Sequence, residues 1–317
     1  MTKVRVKTPS RLHFGIIDMS GRLGRLYGGI GVALAKPNNI LEFKKSKRVA
    51  VSGKNGGTVR SYARLFLDAF SLKGGVGIRA LETIPEHVGL GSGTQLALAV
   101  GTGISELYGL DFKPKEVALM SGRGHVSGVG AAVFRHGGFV VDGGHKSMSA
   151  SLPPVTFHRD FPKDWEFIVV VPKVGKGFHG LKELEAFANI VPASERTASR
   201  ISWLLQMRML PSLVEEDIQA FGKSLVEIDR LVGSYFKGEQ SGIYMGDATS
   251  DLVDFLLGIG CYGAGQSSWG PTVYALTEKK DSNRIAGGVE KFLKLKRIPA
   301  KAFVAAADNK GAIVERL

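Results

Sequence analysis

Pro85-Glu86-His87-Val88-Gly89-Leu90-Gly91-Ser92-Gly93-Thr94-Gln95, running directly into an apolar segment at residues 96–108, is the stretch on which the reading of the chain turns. Three glycines at alternate positions, followed by small hydroxyl residues, leave backbone N–H groups unhindered at the start of a helix. Their partial positive charge suits an anion, a phosphate above all. Leu96, Val100, Ile104 and Leu107 recur at helical spacing, and nothing interrupts the run before Gly109. Such a loop can equally serve as a plain strand-to-helix turn, so its context decides.

Upstream, residues 4–7 and 11–16 alternate in polarity and are expected as a hairpin-like pair of strands around Pro9-Ser10. Residues 18–29 are punctuated by glycine and read as a lining loop before a strand at 30–35. Further strands are expected at 40–44, 49–52 and 76–83, with a helix at 59–72. Downstream come a helix at 114–120, a glycine-rich passage at 121–130, a short helix to His136 and a strand at 138–142. The paired prolines of Ser151-Leu152-Pro153-Pro154 suit a linker, which divides the chain into domains 1–150 and 151–317. The second half reads as a strand at 166–171, helices at 194–209, 213–236 and 250–258, and a glycine-serine loop at 263–271. That loop leads into a strand at 272–277, a helix at 282–295 and a strand at 302–307. The mixture is α+β.

The chain has 317 residues, with 42 basic against 29 acidic side chains and a net charge of +13. No apolar run approaches the ~20 residues that span a bilayer, and Met1-Thr2-Lys3 leads into an alternating strand, so a cytoplasmic protein without membrane partners is expected. The single cysteine, Cys261, lies in an apolar stretch and reads as a buried thiol. The basic surplus suits small polyanionic substrates. Its densest run, Lys44-Lys45-Ser46-Lys47-Arg48, continues a strand as a solvated edge or loop, and no aromatic-basic signature accompanies it, so nucleic acid ranks below small anions. A homodimer is the general expectation for a soluble enzyme.

Three motifs follow one another in the chain: Pro9-Ser10-Arg11 with its glycine-bearing continuation, residues 85–93, and Gly263-Ala264-Gly265-Gln266-Ser267-Ser268-Trp269-Gly270-Pro271. In that order they resemble the signatures of the GHMP kinase superfamily. The resemblance implies a two-domain fold, with an N-terminal domain like ribosomal protein S5 domain 2, a ferredoxin-like C-terminal domain and a ligand cleft between them. Superfamily members that use a catalytic aspartate carry it in a Pro-Ser-Gly-x-Asp passage. The matching passage is Val126-Ser127-Gly128-Val129-Gly130, and no acidic residue occurs between Glu116 and Asp142. An ATP-dependent kinase therefore ranks second, and a non-catalytic RNA-binding protein third.

Arg123-Gly124-His125 and Arg135-His136 make this passage cationic instead. Within the superfamily, the chain is similar to the β-ribofuranosylaminobenzene 5′-phosphate synthases, pentosyltransferases of tetrahydromethanopterin biosynthesis. That similarity implies condensation of 4-aminobenzoate or 4-hydroxybenzoate with phosphoribosyl diphosphate, releasing CO2 and diphosphate. The residues leave amino against hydroxy acid open. Mg2+ is expected to accompany the diphosphate, with no protein ligand assigned. On this reading Gly89, Gly91, Ser92, Gly93, Thr94 and Gln95, with Arg123 and Ser127, bind the diphosphate. Arg11, His13 and Asp18 are the catalytic candidates, while His125, Gln266, Ser267 and Ser268 border the substrate cleft. Asp142, His145, Lys173, Lys176 and His179 sit at strand ends or loops and read as solvated polar residues, and Trp269 as core before substrate stack.

Overall fold

The alternation on either side of Pro9-Ser10 belongs to one strand. The computed structural model describes residues 2–146, 151–173, 194–240 and 242–317, and in it β1 runs unbroken over Lys3–Asp18. It pairs antiparallel with β2, Arg25–Ser46, with register shifts between Thr8 and Ser10 and between His13 and Gly15. The first shift explains why the expected hairpin does not form: Pro9 has no N–H to give to a ladder, and the irregularity takes it out of the pairing without turning the chain. The strands expected at 30–35 and 40–44 likewise merge into β2.

β2 also pairs with β4 (Gly75–Glu82), β5 (Phe139–Asp142) and β6 (His145–Lys146), while β3 (Ala50–Gly53) lies parallel to β4. α1 (Gly56–Ala69), α2 (Ser92–Tyr108) and α3 (Pro114–Met120) supply the helical layer over that sheet, and α4 (Val129–His136) leads into β5. Lys44, Lys45, Lys47 and Arg48 are solvated, but Lys44 and Lys45 lie in β2 between β1 and β4, so the expected edge is the exposed end of an interior strand.

A second, antiparallel sheet is ordered β11-β8-β10-β9, from Ala300–Ala306, Trp165–Pro172, Val273–Glu278 and Gly263–Gln266. Its helices are α5 (Glu195–Leu204), α6 (Leu210–Glu215), α7 (Ile218–Gln240), α8 (Asp247–Gly258) and α9 (Lys279–Leu295). β9 was expected as loop. It can be a strand because Gly265 has no side chain, and a Cβ there would lie 2.4 Å from Cγ of Asp229 on α7. Two strands cross the expected boundary at 150/151: β7 (Val155–Arg159) pairs with β5, and β12 (Ile313–Arg316) pairs with β1.

The two sheets share one core. Phe14 of β1 packs 5.1 Å from Tyr274 of β10 and 6.1 Å from Phe167 of β8, measured between ring centroids, and all three are fully buried. Each such ring removes enough apolar surface from water to contribute about 1.5–3 kcal/mol. Residues 167 and 169 of β8 face this shared core, while Ile168 and Val170 face a separate cluster under α8 and α9. That period of two fixes which face of the second sheet meets the first. Cys261 lies in the outer cluster, buried, its thiol pushed up to about 12 by desolvation.

Candidate active site

The three motifs meet at one joint. Arg11 N–H donates to the Leu90 carbonyl at 3.1 Å, and Arg11 Nη1 donates to the Gly89 carbonyl at 2.7 Å. Ser267 Oγ donates to the same Gly89 carbonyl at 2.7 Å and accepts from the backbone N–H of His13 at 3.0 Å. The fit leaves no room for side chains. Gly89 has φ +91° and a Cβ there would meet the Ser267 carbonyl at 2.3 Å, while Gly91, φ +76°, is the left-handed residue from which α2 springs.

α2 starts at Ser92, not at residue 96, so Ser92, Gly93 and Thr94 form its first turn and carry N–H groups that the helix itself cannot satisfy. These residues, with Gly89 and Gly91, line a cleft of about 460 Å³ between the two halves, a volume suited to small molecules. Arg123 stands over the turn, its Nη1 3.1 Å from where a Gly93 Cβ would be. Its guanidinium bonds the Tyr62 hydroxyl, and its buried Nε has no hydrogen-bond partner.

His13 lines the same cleft and anchors a buried chain. Its Nε2 is 3.1 Å from Ser127 Oγ, and that hydroxyl donates to Asp142 Oδ2 at 3.0 Å. A hydroxyl has one proton to give, so Ser127 must accept from His13, which fixes the imidazole as the Nε2–H tautomer. Asp142 also accepts from the N–H groups of Gly128 at 2.8 Å, Gly144 at 2.9 Å and Gly29. Desolvation nevertheless raises its pKa, the burial cost outweighing those donors.

Desolvation, reinforced by the Arg11 charge, lowers the His13 pKa to about 3, so the ring is neutral at physiological pH. The sign of the linkage follows. A depressed folded pKa gives stability that is present above the unfolded value near 6.5 and is lost as pH falls toward 3, at up to about 1.4 kcal/mol per pH unit. His13→Gln, which keeps a donor for Ser127, is expected to flatten this part of the acid-denaturation profile. An unchanged slope would show that other groups carry the acid sensitivity.

Other expected site residues are placed differently. Gln95 is fully buried; its Nε2 donates to the Gly130 carbonyl at 2.7 Å, so it ties α2 to α4 and does not line the cleft. Asp18 ends β1 and folds its Oδ1 back onto the N–H groups of Ser20 and Gly21 at 2.6 and 3.3 Å, a turn-capping arrangement away from the cleft lining. Ser267 is fully buried in the joint, whereas His125, Ser127, Gln266 and Ser268 line the cleft. Asp142 is not the solvated strand end expected of it but has no exposed surface. Lys173 is exposed, and Lys176 and His179 lie outside the described residues. At Gly130 an aspartate would be obstructed, since a Cβ would sit 2.9 Å from Thr94 Cγ2.

The opposite wall comes from α7. Asp229, Val232, Gly233, Phe236 and Gln240 recur at helical spacing and line the cleft, with Phe236 packed 4.4 Å from Trp269 between ring centroids. Asp229 is the one carboxylate among the described lining residues, and the pattern reading passed over it. Its Oδ1 accepts from the Gln266 N–H at 3.1 Å and the Tyr274 hydroxyl at 3.3 Å. Desolvation pushes its pKa up to about 7. The only local signal was Gly265, whose missing side chain marks a close approach.

Residues 57–138 match the family described as GHMP kinases N terminal domain, and residues 209–295 match GHMP kinases C terminal. Over 98% of both chains, the sequence is 35% identical to the beta-ribofuranosylphenol 5′-phosphate synthase of Methanothermobacter thermautotrophicus. It is 38% identical to the protein of the same name from Archaeoglobus fulgidus, over 98% of this chain and 99% of that one. Among solved structures, homoserine kinase from Cytophaga hutchinsonii superposes with a TM-score of 0.71 at 19% identity, covering 99% and 97% of the two chains. A mevalonate kinase gives 0.69 at 14% identity, covering 96% and 99%.

Proposed function

The chain belongs to the GHMP kinase superfamily and, within it, to the family of the beta-ribofuranosylphenol 5′-phosphate synthases, and from that membership we propose how it makes its product. It is an enzyme, a pentosyltransferase. It joins phosphoribosyl diphosphate to a 4-substituted benzoate with loss of CO2 and diphosphate. The phenol in the relatives' name favours 4-hydroxybenzoate over 4-aminobenzoate, because the ring substituent survives into the product.

One observation carries the reading: the two walls of the cleft are chemically opposite. The first half brings Arg11, Arg123 and the N–H groups of the first turn of α2 to the cleft, and the second half brings apolar and aromatic surface from Val232, Phe236, Ile243 and Trp269 beside the carboxylate of Asp229. A polyanion and an arene are thereby sorted to facing surfaces. As the bond to diphosphate breaks, negative charge grows on the leaving oxygens while the ribose carbon becomes cation-like. N–H groups of Ser92, Gly93 and Thr94, with the Arg123 guanidinium, donate to those oxygens more strongly in the transition state than in the ground state. The ring carbon bearing the carboxylate attacks the ribose carbon, and departure of CO2 restores aromaticity. His13, neutral and oriented through Nε2 by Ser127, offers Nδ1 as an acceptor for a ribose hydroxyl.

Magnesium bound by the protein is not fitted by these residues. Among the described residues no three His, Cys, Asp or Glu side chains are grouped to hold a metal ion, and the cleft lining contributes one carboxylate. We read the ion as part of the substrate, carried in by the diphosphate. Small-molecule substrates account for the lined cleft, and no helix among the described residues is long and apolar enough to cross a membrane.

Purified protein supplied with phosphoribosyl diphosphate, Mg2+ and carboxyl-labelled 4-hydroxybenzoate or 4-aminobenzoate is expected to release labelled CO2 in step with diphosphate. No label from either acid would falsify the reading. In the same assay ATP with homoserine or mevalonate should give no ADP, and turnover there would restore the kinase assignment.

A further inference from the structure

At the floor of the aromatic wall, two buried polar atoms lack a close hydrogen-bond partner, Asp229 Oδ2 and the Tyr244 hydroxyl, and the two interact with each other only at longer range. Both residues line the cleft, Asp229 is 5% exposed and Tyr244 8%. Burial raises the pKa of both groups; the Asp229 charge and a hydrogen bond between the two raise Tyr244 further, while the Tyr244 hydroxyl and the Arg230 charge partly offset the rise at Asp229. The other carboxylate oxygen is held by the Gln266 N–H and Tyr274 hydroxyl, so the orientation of the group is fixed and Oδ2 is the oxygen left over. Gly265, with no Cβ to collide with the carboxyl, lets β9 close behind it. An orphan carboxylate oxygen in a dry site is costly unless something is meant to complete it.

We propose that Asp229 and Tyr244 form the subsite for the 4-substituent of the arene, with Oδ2 accepting a hydrogen bond from the substrate hydroxyl and Tyr244 donating one to the same oxygen. The inference rests on the proposed reaction and deepens it. A hydroxyl both donates and accepts and satisfies the pair. An arylamine donates well but accepts poorly, because its lone pair is drawn into the ring, so it offers the Tyr244 proton no acceptor and leaves it only its longer contact with Asp229. The subsite thus discriminates the hydroxy acid from the amino acid, a choice the sequence left open.

Its placement also serves the bond-forming step. When the ring carbon attacks the ribose carbon, the electron pair comes from the π system and positive charge spreads to the 4-oxygen. The O–H proton passes to Asp229 Oδ2, leaving a dienone that carries both ribosyl and carboxylate on one carbon. The carbon–carboxylate bond then breaks as CO2, its electron pair returns to the ring, and the 4-oxygen takes its proton back from Asp229. One C–C bond is formed, one C–C and one C–O bond are broken, and the carboxyl group of Asp229 ends as it began. A carboxyl whose pKa burial has moved up to about 7 is matched to taking and returning a proton.

The test compares Asp229→Asn, Tyr244→Phe and the unaltered enzyme with 4-hydroxybenzoate, 4-aminobenzoate and unsubstituted benzoate. Turnover is read as labelled CO2, and binding by calorimetry. The unaltered enzyme is expected to favour the hydroxy acid over the amino acid at least 10-fold in kcat/KM and to bind it at least 30-fold more tightly than benzoate. Tyr244→Phe should bring the hydroxy and amino acids within about 3-fold of each other. Asp229→Asn presents a donor where an acceptor stood, and should cut kcat with 4-hydroxybenzoate about 100-fold while leaving KM for phosphoribosyl diphosphate unchanged. Equal losses on all three ring compounds, or changes confined to the KM of phosphoribosyl diphosphate, overturn the proposal. Should Asp229→Asn not fold, Tyr244→Phe decides alone, since it removes a single hydroxyl. If no acid is turned over but binding still depends on the 4-substituent through these two residues, the proposed reaction fails and the subsite stands. If turnover proceeds and the variants leave discrimination intact, the subsite alone falls.

Discussion

Asp142→Ala is expected to destabilise the protein by about 3–5 kcal/mol and to reduce turnover to background. The carboxylate accepts from three backbone N–H groups, of Gly29, Gly128 and Gly144, and from Ser127 Oγ, in a site with no exposed surface. Removing it strands four donors where water has no access. The loss also reaches function, because Ser127 is the acceptor that orients His13, and Gly128 begins the turn into α4. Asp142→Asn is a graded control: one acceptor oxygen remains, but its amide NH2 points toward donors, so roughly half the loss is expected by chemical denaturation. If Asp142→Ala unfolds within about 1 kcal/mol of the unaltered protein, water must reach these groups and the chain from His13 to Asp142 has no structural weight.

How far these features could be read from the sequence depends on how local their causes are. The glycine loop and α2 were legible because the decisive relations span a few residues: alternate glycines, then a helical apolar period. Gln95 was misassigned to the anion although the same period turns it inward with Leu98 and Ala99. Asp142 was taken for a solvated strand end, and Asp229 was missed, for a different reason. Each looks locally like a polar residue on an element's solvated side, and each is buried by partners far along the chain, Gly29 lying 113 positions before Asp142 and Gly265 lying 36 after Asp229. β12 escaped because Ile313-Val314-Glu315-Arg316 is short and exposed, and only its ladder with β1 makes it a strand.

The division of labour in the cleft follows from that long-range assembly. β1, α2 and the Gly122–Ser127 passage belong to the first sheet and its helices and carry the groups suited to phosphates, whereas α7 and the end of β9 come from the second. Ser267, bonded to both His13 and Gly89, fixes the relative position of the walls to within the tolerance of two hydrogen bonds. Holding the ring carbon and the ribose carbon in line is the part of the barrier that such rigidity lowers.

Arg123→Ala should raise KM for phosphoribosyl diphosphate about 10- to 100-fold while leaving the fold intact, corresponding to the ~1.5–3 kcal/mol of a charge-assisted hydrogen bond. The guanidinium is held against Tyr62, with Cζ 5.9 Å from the ring centroid, and it overhangs Gly93 at the start of α2. Its buried Nε lacks a partner, as a donor kept for an incoming oxygen does. Arg123 is half-exposed in a loop and contributes to no core cluster, so thermal stability should move little. Arg123→Lys separates charge from shape: a lysine keeps the attraction but loses the planar fork, and should recover part of the affinity with a steeper dependence on ionic strength. Steady-state kinetics at two salt concentrations measure both. Because the same donor faces oxygens that gain charge as diphosphate departs, kcat should also fall, by less than KM rises. Unaltered kinetics in Arg123→Ala would move the diphosphate away from the α2 N-terminus and leave the cationic wall to the 5′-phosphate alone.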